Sequence, residues 1–399
     1  MINIDLNYKR FLCEDYSLNN LFKDSGYDWP GDWEGRALLA FLCHYEINGA
    51  EIPHLHRFFN EIPLRVNADG YFGSIFDGCT ADEQQLSGHN WLLRGLLKYH
   101  EDFASDAAMS MAKRIVENLY LPTMELYAHY PLERDTEIGD VSGSVTGVRD
   151  GWKLSSDIGC AFMCVDGLSH YYRLTRDERV MKLLNNIIEI FLSVDLLKSN
   201  LQTHTTLTCL RGILILYLTT KDEKYLDIVK EKFAFYEKHG MTLTYENFNW
   251  FGREDTWTEP CAVVDSFILA TELYLITGMD LYRQLARRIW FCGLQFCQRE
   301  NGGAGPNTCV GDRNKVLKIS MYEAPFCCTM RYAEGLLEYS KNKELFTWDK
   351  NAALTTDTLG RRFIDDALIV ELNGRSLPIF SCNTVPEAEA KSLELIITK

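Results

Sequence analysis

The chain has 399 residues, of which 46% are hydrophobic and 24% charged, with a formal net charge of −15. This composition is typical of a globular protein, and the length suits one large helical ring or two ordinary domains. The negative charge argues against a nucleic-acid partner, because such a partner requires a basic surface.

The first twenty residues carry charges throughout and contain no apolar stretch of the kind found in signal peptides. No run of 18 apolar residues predicts a transmembrane helix. Thirteen cysteines without a secretion signal favour a reducing compartment, where thiols stay free or bind metal. The prediction is a cytoplasmic protein that has no membrane partner.

A pattern of two amphipathic helices joined by a short polar turn recurs along the chain. In the clearest copies, an aspartate follows the turn, where its carboxylate can accept hydrogen bonds from the next helix. The six turns fall at residues 44–52, 98–106, 172–184, 217–229, 274–286 and 338–346. Six helical hairpins predict an all-α fold, an (α/α)6 toroid in which the hairpins close into a ring.

The last fifty or so residues differ in character. ALIVELNGRSLPIFSCNTV and LELIITK predict strands, with a turn at Asn373 and Gly374. We therefore predict an (α/α)6 barrel over residues 1–348 and a short β-rich C-terminal segment over residues 349–399. Long loops at one rim of the ring are expected to carry the site, as in residues 240–260.

Carboxylates and thiols gather where two predicted helices begin. Glu259 and Cys261 stand two residues apart at one helix start, and Cys327 and Cys328 precede a helix one hairpin later. Adjacent cysteines rarely bridge each other, because their Cα atoms are only about 3.8 Å apart. Three thiolates and one carboxylate suit tetrahedral Zn²⁺. The alternative of three core cysteines and a helix-start glutamate stays open, since the chain has no CxxC pair.

This E-x-C motif, followed one hairpin later by C-C, resembles the zinc- and cysteine-dependent β-L-arabinofuranosidases of glycoside hydrolase family 127. The segment TYENFNWFGREDTWTEPC is similar to the family's stretch in which an acid/base glutamate precedes the metal ligands. The resemblance covers roughly residues 30–340. It implies that Glu246 is the acid/base and Cys327 the nucleophile. The implied zinc ligands are Glu259, Cys261, Cys327 and Cys328.

The resemblance also implies a sugar pocket. QLSGHNWLLRGLL and HTTLTCLRGILILY are similar to two helices of the family and place His89 and His204 in that pocket. Asp157 stands where the family has a histidine. Asp32 and Trp33 lie near the start of the first long helix, where a tryptophan is able to stack on a sugar ring. A tryptophan at a helix start also serves as ordinary packing.

Besides Asp157, the chain departs from the family in two respects. Thr-Met-Arg at residues 329–331 follows the cysteine pair where the family has prolines and asparagine, and the family's C-terminal β-sandwich domains are largely absent. Glu323 is a rival for the acid/base role, although no motif supports it. Asp265, one turn after Cys261, is interpreted as a local cap or a salt-bridge partner.

The predicted function is a retaining glycoside hydrolase. A zinc-bound cysteine thiolate attacks the sugar, and a glutamate acts first as acid and then as base. The predicted substrate is a β-L-arabinofuranoside or a related small carbohydrate. Three alternatives stay open: a metal-independent sugar epimerase on the same toroid, a zinc-dependent prenyltransferase, and a non-catalytic helical-repeat protein that binds sugar. Assembly into a homo-oligomer is also left open.

Overall fold

The computed structural model describes residues 3–23, 28–49, 52–132, 134, 142–383 and 385–397. The chain divides into two compact units, the N-terminal unit (Glu14–Phe235) and the C-terminal unit (Met1–Cys13 with Tyr236–Lys399). The α-helices of the described residues are α1 (Ile4–Arg10), α2 (Leu18–Leu21), α3 (Asp32–Asn48), α4 (Leu55–Glu61), α5 (Glu83–Phe103), α6 (Asp106–Ile115), α7 (Cys164–Thr175), α8 (Glu178–Ser193), α9 (Thr203–Thr220), α10 (Glu223–His239), α11 (Pro260–Thr277), α12 (Asp280–Arg288), α13 (Gln295–Cys297), α14 (Cys328–Lys341) and α15 (Glu387–Ala390).

Short strands accompany the helices in both units. They are β1 (Ala81–Asp82), β2 (Val145–Arg149), β3 (Trp152–Ser155), β4 (Val316–Lys318), β5 (Leu354–Thr356), β6 (Arg362–Ile364), β7 (Ala367–Leu372), β8 (Arg375–Pro378) and β9 (Glu394–Ile396). The first three form a small sheet in the order β1-β3-β2. The other six form a sheet in the order β4-β9-β7-β6-β5, with β8 paired to β7.

Among the described residues, five of the six predicted turns fall between two α-helices, as in the pairs α5–α6, α7–α8 and α11–α12, and residues 50 and 51 of the first turn lie outside the described residues. At the turn before α8, the side chain of Asp177 accepts a hydrogen bond from the Arg179 N–H at 2.9 Å, as the sequence pattern predicts. The helix before that turn ends at Thr175, and the next residue, Arg176, has a φ of 56° in the left-handed region. At the equivalent place after α11, glycine occupies the position with φ of 67° (Gly278).

The prediction of a sixth helical hairpin is wrong. After α14 the described chain makes only a 3-10 turn, Lys343–Phe346, in place of the expected second helix. The reason is Arg287 of α12, whose guanidinium donates to the carbonyl oxygens of Leu345 at 2.6 Å and Thr347 at 3.1 Å. A continuing helix needs those carbonyls for its own hydrogen bonds, so the chain leaves the helix and enters the β-rich tail.

The predicted C-terminal strands are present. The turn between β7 and β8 is formed by Asn373 and Gly374, with φ of 51° and 74°, as the Asn-Gly pair indicates. Strand β9 pairs antiparallel with β4, so that Leu395 faces Leu317 across the ladder. The tail is thereby joined by backbone hydrogen bonds to the segment that leads to the cysteine pair. The boundary predicted at residue 348 stays a prediction.

Helix α11 is the core helix of the C-terminal unit. It packs against α12 and α14, and its side chains are buried around the whole circumference over most of its length. By length and composition it is apolar enough to cross a membrane, and 72% of its apolar window is buried inside the structure. A buried core helix has the same composition.

In the N-terminal unit, α3 and α5 approach closely. A Cβ atom added to Gly35 would lie 2.0 Å from the backbone nitrogen of Leu92, so only glycine fits there. The start of α3 also packs against α5 beside His89, since a Cβ atom added to Gly88 would lie 3.1 Å from the backbone nitrogen of Asp32.

We expect Gly35→Ala to lower the free energy of unfolding by about 1–3 kcal/mol or more, because two backbones must separate. Gly335→Ala is the matched control, since its added Cβ would meet side-chain methyl groups and no backbone, Leu294 Cδ2 at 3.0 Å and Val264 Cγ2 at 3.2 Å. Guanidinium unfolding of both variants measures the difference. Equal losses would contradict the close approach of α3 and α5.

Candidate functional site

The thiol cluster, defined as Cys261, Cys327 and Cys328, lies at the starts of two neighbouring helices. Helix α11 begins at Pro260, whose missing N–H is no loss at that position, so Cys261 stands in the first turn. Cys327 directly precedes α14 with φ of −138° and ψ of −85°, and Cys328 is the first residue of that helix. Because α11 pairs with α14, the three sulfur atoms meet.

The sulfur separations match those of a metal site. The Sγ of Cys261 lies 3.4 Å from that of Cys327 and 3.7 Å from that of Cys328, and the last two are 4.0 Å apart. A tetrahedral site with Zn–S bonds of about 2.3 Å places its sulfur atoms about 3.8 Å apart. The three thiols therefore fit three corners of a zinc tetrahedron.

The cluster disfavours its own ionisation. Burial and the hydrogen bonds with the other two thiols raise the pKa of Cys261 well above its ordinary value. The pKa of Cys328 is also raised: its hydrogen bond with Cys261 lowers it, but the bond with Cys327 and burial outweigh that effect. Three adjacent thiolates repel one another, so the cluster needs a bound cation to lose all its protons.

Glu259 stands at the edge of this cluster. It is the residue before α11, half-buried, and one of its carboxylate oxygens lies within 4.8 Å of the Cys261 sulfur. This position agrees with a fourth metal ligand. The assignment of all four predicted ligands stays a prediction.

Glu246 is fully buried in the loop between α10 and α11. Its Oε1 accepts hydrogen bonds from Thr258 Oγ1 at 3.0 Å and Asn307 Nδ2 at 2.7 Å. Among the described residues, the hydrogen-bond partner of its Oε2 is the hydroxyl of Thr244, at 3.0 Å. The Asn307 amide on Oε1 can only donate, whereas the hydroxyl on Oε2 can also accept, so a proton on Glu246 is best placed on Oε2.

Burial raises the pKa of Glu246 to about 7, against the hydrogen bonds from Asn307, Thr244 and Thr258, which lower it. A carboxyl group with this pKa holds a proton near neutral pH and can return to the ionised form there. Both properties are required of a group that serves as acid and then as base.

The loop that carries Glu246 and the start of α11 are held together by direct hydrogen bonds. The backbone N–H of Glu259 donates to Asn247 Oδ1 at 2.8 Å, next in sequence to Glu246. Thr258, adjacent to Glu259, donates to Glu246 itself. A displacement of the loop of Glu246 would therefore also displace the start of α11 beside Glu259.

Sequence reasoning missed the residues that surround Glu246. Asn307 is fixed by Arg299, whose Nη2 donates to its Oδ1 at 2.9 Å and to the carbonyl of Gly305 at 2.7 Å. Arg299 is itself 1% exposed. No motif marks these residues, because they reach Glu246 from a separate loop. Arg299 stands between Gln298 and Glu300, so its local sequence gives no sign that it is buried.

Glu323, the rival acid/base, has structural partners. It forms an ion pair with Arg10 of α1 at 2.9 Å and accepts a hydrogen bond from Thr329 Oγ1, also at 2.9 Å. Asn7 of the same helix donates to the carbonyl of Gly302 at 2.9 Å. Glu323 thus ties the N-terminal helix to the segment before the thiols.

Two of the predicted pocket residues belong to one stack in the N-terminal unit. Asp32 forms a buried ion pair with Arg36 at 2.8 Å, and the Arg36 guanidinium lies 4.4 Å above the ring of Trp91. The other stacked partner of Trp91 is His204, with ring centroids 5.8 Å apart. Trp33, the next residue after Asp32, is half-buried.

His89 and Asp157 have polar partners nearby. The Nε2 of His89 accepts from the Phe72 N–H at 2.9 Å and its Nδ1 donates to the Gln85 carbonyl at 2.7 Å. Burial lowers the pKa of His89 to about 4, so the ring is neutral at pH 7. Asp157 accepts from Ser142 Oγ at 2.7 Å. The sugar-binding roles of these two residues, and of Asp32, Trp33 and His204, stay predictions.

No family model and no curated protein matches this chain. Several solved structures are similar to this chain. The chain is similar to a GH127 β-arabinofuranosidase, at a TM-score of 0.57 and 12% identity, over 93% of this chain and 63% of that one. It is similar to a sugar epimerase from a ruminal bacterium, at 0.55 and 10%, over 85% and 99%. It is also similar to the GH76A α-1,6-mannanase of Salegentibacter sp. HEL1_6, at 0.54 and 14%, over 85% and 96%.

These structures share one helical architecture. The fold is of the (α/α)6 type. The fold class predicted from the sequence is thereby confirmed. At identities of 10–14% the likeness concerns the fold and does not extend to the reaction. The chain spans less than two thirds of two of the glycoside hydrolases it matches, 58% and 63% of their length.

We expect Glu246→Gln to change the pH dependence of stability. Because burial raises the pKa of Glu246 from 4.5 to about 7, the folded protein keeps a proton that the unfolded chain has released. Stability of the native protein therefore falls as pH rises across that interval. Glutamine has the same shape and does not ionise, so the variant should gain about 2–3 kcal/mol over the native protein between pH ~4 and pH ~8.

Guanidinium unfolding of both proteins across this range measures the gain. The comparison at about pH 4, where Glu246 is protonated in the folded state, supplies the baseline for the substitution itself. A difference in unfolding free energy that stays constant with pH would contradict the raised pKa.

Proposed function

We propose that this chain is a retaining glycoside hydrolase that acts on β-L-arabinofuranosides or a related small sugar. The observation that carries the proposal is the thiol cluster, with sulfur separations of 3.4–4.0 Å, on a helix whose start is hydrogen-bonded to the loop of a buried glutamate with a pKa of about 7. Support for the substrate class comes from the likeness to a GH127 β-arabinofuranosidase and from the resemblance of the E-x-C and C-C motifs.

The residues present fit Zn²⁺. Cys261, Cys327 and Cys328 would hold it, with Glu259 as the fourth ligand, a donor set that favours zinc over magnesium or calcium. When bound, the ion keeps the thiols deprotonated at neutral pH. A deprotonated thiol is a nucleophile. Without the ion, the raised pKa values of Cys261 and Cys328 would keep these thiols protonated at neutral pH.

Cys327 is assigned as the nucleophile because it is the accessible member of the cluster. Its side chain is half-buried, whereas Cys261 and Cys328 are 0% and 4% exposed. Cys327 Sγ forms a bond to the anomeric carbon as the bond from that carbon to the leaving oxygen breaks. Glu246 donates its proton to that oxygen.

In the second half of the reaction Glu246, now ionised, takes a proton from water. The water oxygen attacks the anomeric carbon and the bond to Cys327 Sγ breaks, which regenerates the thiolate and the protonated glutamate. Two successive displacements at one carbon retain its configuration.

A sugar epimerase is the competing function, since the likeness to a solved sugar epimerase is of the same quality. Such an enzyme would use histidines as proton shuttles and would need no metal. Both ring nitrogens of His89 already have backbone partners, which disfavours it as a shuttle. The thiol cluster would have no task in that reaction.

We expect Cys327→Ser to reduce hydrolysis of an aryl β-L-arabinofuranoside by at least about 10³-fold, because the thiolate that attacks the sugar is lost. Cys382→Ser, which changes a buried cysteine of the same unit outside the thiol cluster, is the control and should keep its activity. Steady-state rates of the two variants give the comparison. Near-native rates in Cys327→Ser would exclude this residue as nucleophile.

Metal removal should abolish hydrolysis. Dialysis against a strong chelator is expected to yield an inactive protein that Zn²⁺ restores and Mg²⁺ does not, because thiolates bind Mg²⁺ poorly. Metal analysis before and after dialysis checks that zinc follows the activity. A chelated protein that retains full activity would contradict the zinc-dependent mechanism, and interconversion of sugar epimers by that protein would favour the epimerase.

A further inference from the structure

We propose that the buried ion pair between Asp265 and Arg331 is a positioning device for the metal centre, which sets the separation of the two helix starts that carry the thiols. The inference rests on the part of the proposed function in which the thiol cluster binds a metal ion. It does not depend on which sugar is hydrolysed.

The pair lies one helical turn below the thiols. Asp265 follows Cys261 by four residues on α11, and Arg331 follows Cys328 by three residues on α14. Residues spaced by three or four lie on one face of a helix, so each charged side chain shares the face of its thiol. Arg331 donates to Asp265 across the two helices, and also pairs with Glu334 of its own helix.

Both side chains of the pair are 0% exposed. In such a place a guanidinium and a carboxylate depend on each other, because water cannot replace either partner. The bond between them is directional, whereas the apolar contacts that surround it tolerate sliding and rotation. The pair therefore fixes both the distance and the rotation of α11 against α14.

A metal ion is sensitive to this geometry. The three sulfur separations span only 3.4–4.0 Å, and a relative shift of the helices by about 1 Å would remove one corner of the tetrahedron. Without the pair, the thiols would still be present but would no longer be held at the spacing that Zn²⁺ requires. Loss of partners outside the ligand set typically weakens metal binding by about 10–100-fold.

The chain offers a matched control in its other unit. Arg94 of α5 and Asp166 of α7 form a second buried ion pair between two helices, with side chains 8% and 0% exposed. Asp166→Asn removes the same charge as Asp265→Asn and leaves a similar buried arginine behind. It does so on helices that carry none of the predicted metal ligands.

The test compares the native full-length protein with Asp265→Asn, Arg331→Lys and Asp166→Asn. Competition with a chromophoric chelator gives the Zn²⁺ dissociation constant, and the visible absorption of the Co²⁺-loaded protein reports the coordination geometry. Thermal unfolding of the metal-free proteins measures the structural cost. We expect about 10–100-fold weaker Zn²⁺ binding and altered Co²⁺ bands in Asp265→Asn and Arg331→Lys. Asp166→Asn should lose thermal stability while its Zn²⁺ affinity and Co²⁺ spectrum stay native.

Unchanged Zn²⁺ affinity and Co²⁺ spectra in Asp265→Asn and Arg331→Lys would overturn the inference, as would equal weakening in Asp166→Asn. If Asp265→Asn does not fold, Arg331→Lys, which keeps the charge, decides by the same two readouts. A native protein that binds neither metal would overturn this inference and the proposed function together. A native protein that binds Zn²⁺ but hydrolyses no arabinofuranoside would overturn the proposed substrate alone, because these readouts need no sugar.

Discussion

The mutual repulsion of three adjacent thiolates is the constraint on which the site depends. Cys261, Cys327 and Cys328 lie within 4.0 Å of one another at the starts of two packed helices, where burial already opposes their ionisation. All three thiols can therefore ionise together only where a bound cation offsets their repulsion.

Glu246 is under a similar constraint, because burial opposes its charged form. Glu246 is placed where its charge is unfavourable, yet it receives enough hydrogen bonds for the ionised form to stay accessible. Its partners come from its own loop, from the residue before Glu259 and from the loop of Asn307. The loop of Glu246 and the start of α11 are thus joined by hydrogen bonds, and burial opposes the charged forms of both Glu246 and Cys261.

Much of the fold could be predicted from the sequence, because helical periodicity and turn chemistry are local. The aspartate at the start of α8 and the Asn373-Gly374 turn act through residues within a few positions. The prediction of a second helix after α14 was wrong for a non-local reason. Arg287, which lies on α12, donates hydrogen bonds to the carbonyl groups that such a helix would need. No periodicity carries that information.

The residues of the candidate site also divide into those that the sequence predicts and those that it does not. The meeting of the three cysteines followed from their positions at successive helix starts. The residues that tune and hold them, such as Asn307, Arg299 and Arg331, are brought in by tertiary packing and have no sequence signature. Arg331 also gives a physical task to the Thr-Met-Arg segment. Thr329 bonds to Glu323, Met330 is a core residue, and Arg331 joins the two helices.

The N-terminal helix has a consequence for how the molecule is made. Its Arg10 pairs with Glu323, 313 residues later in the chain, and belongs to the unit that contains the thiols. At ribosomal speeds of about 5–20 residues per second, roughly 15–60 s separate the synthesis of these two partners. The first helix emerges early and stays without its carboxylate while the whole N-terminal unit is produced. The unit that carries the thiols can therefore fold completely only late in biosynthesis. By then its own first segment, which contains Arg10, has long left the ribosome.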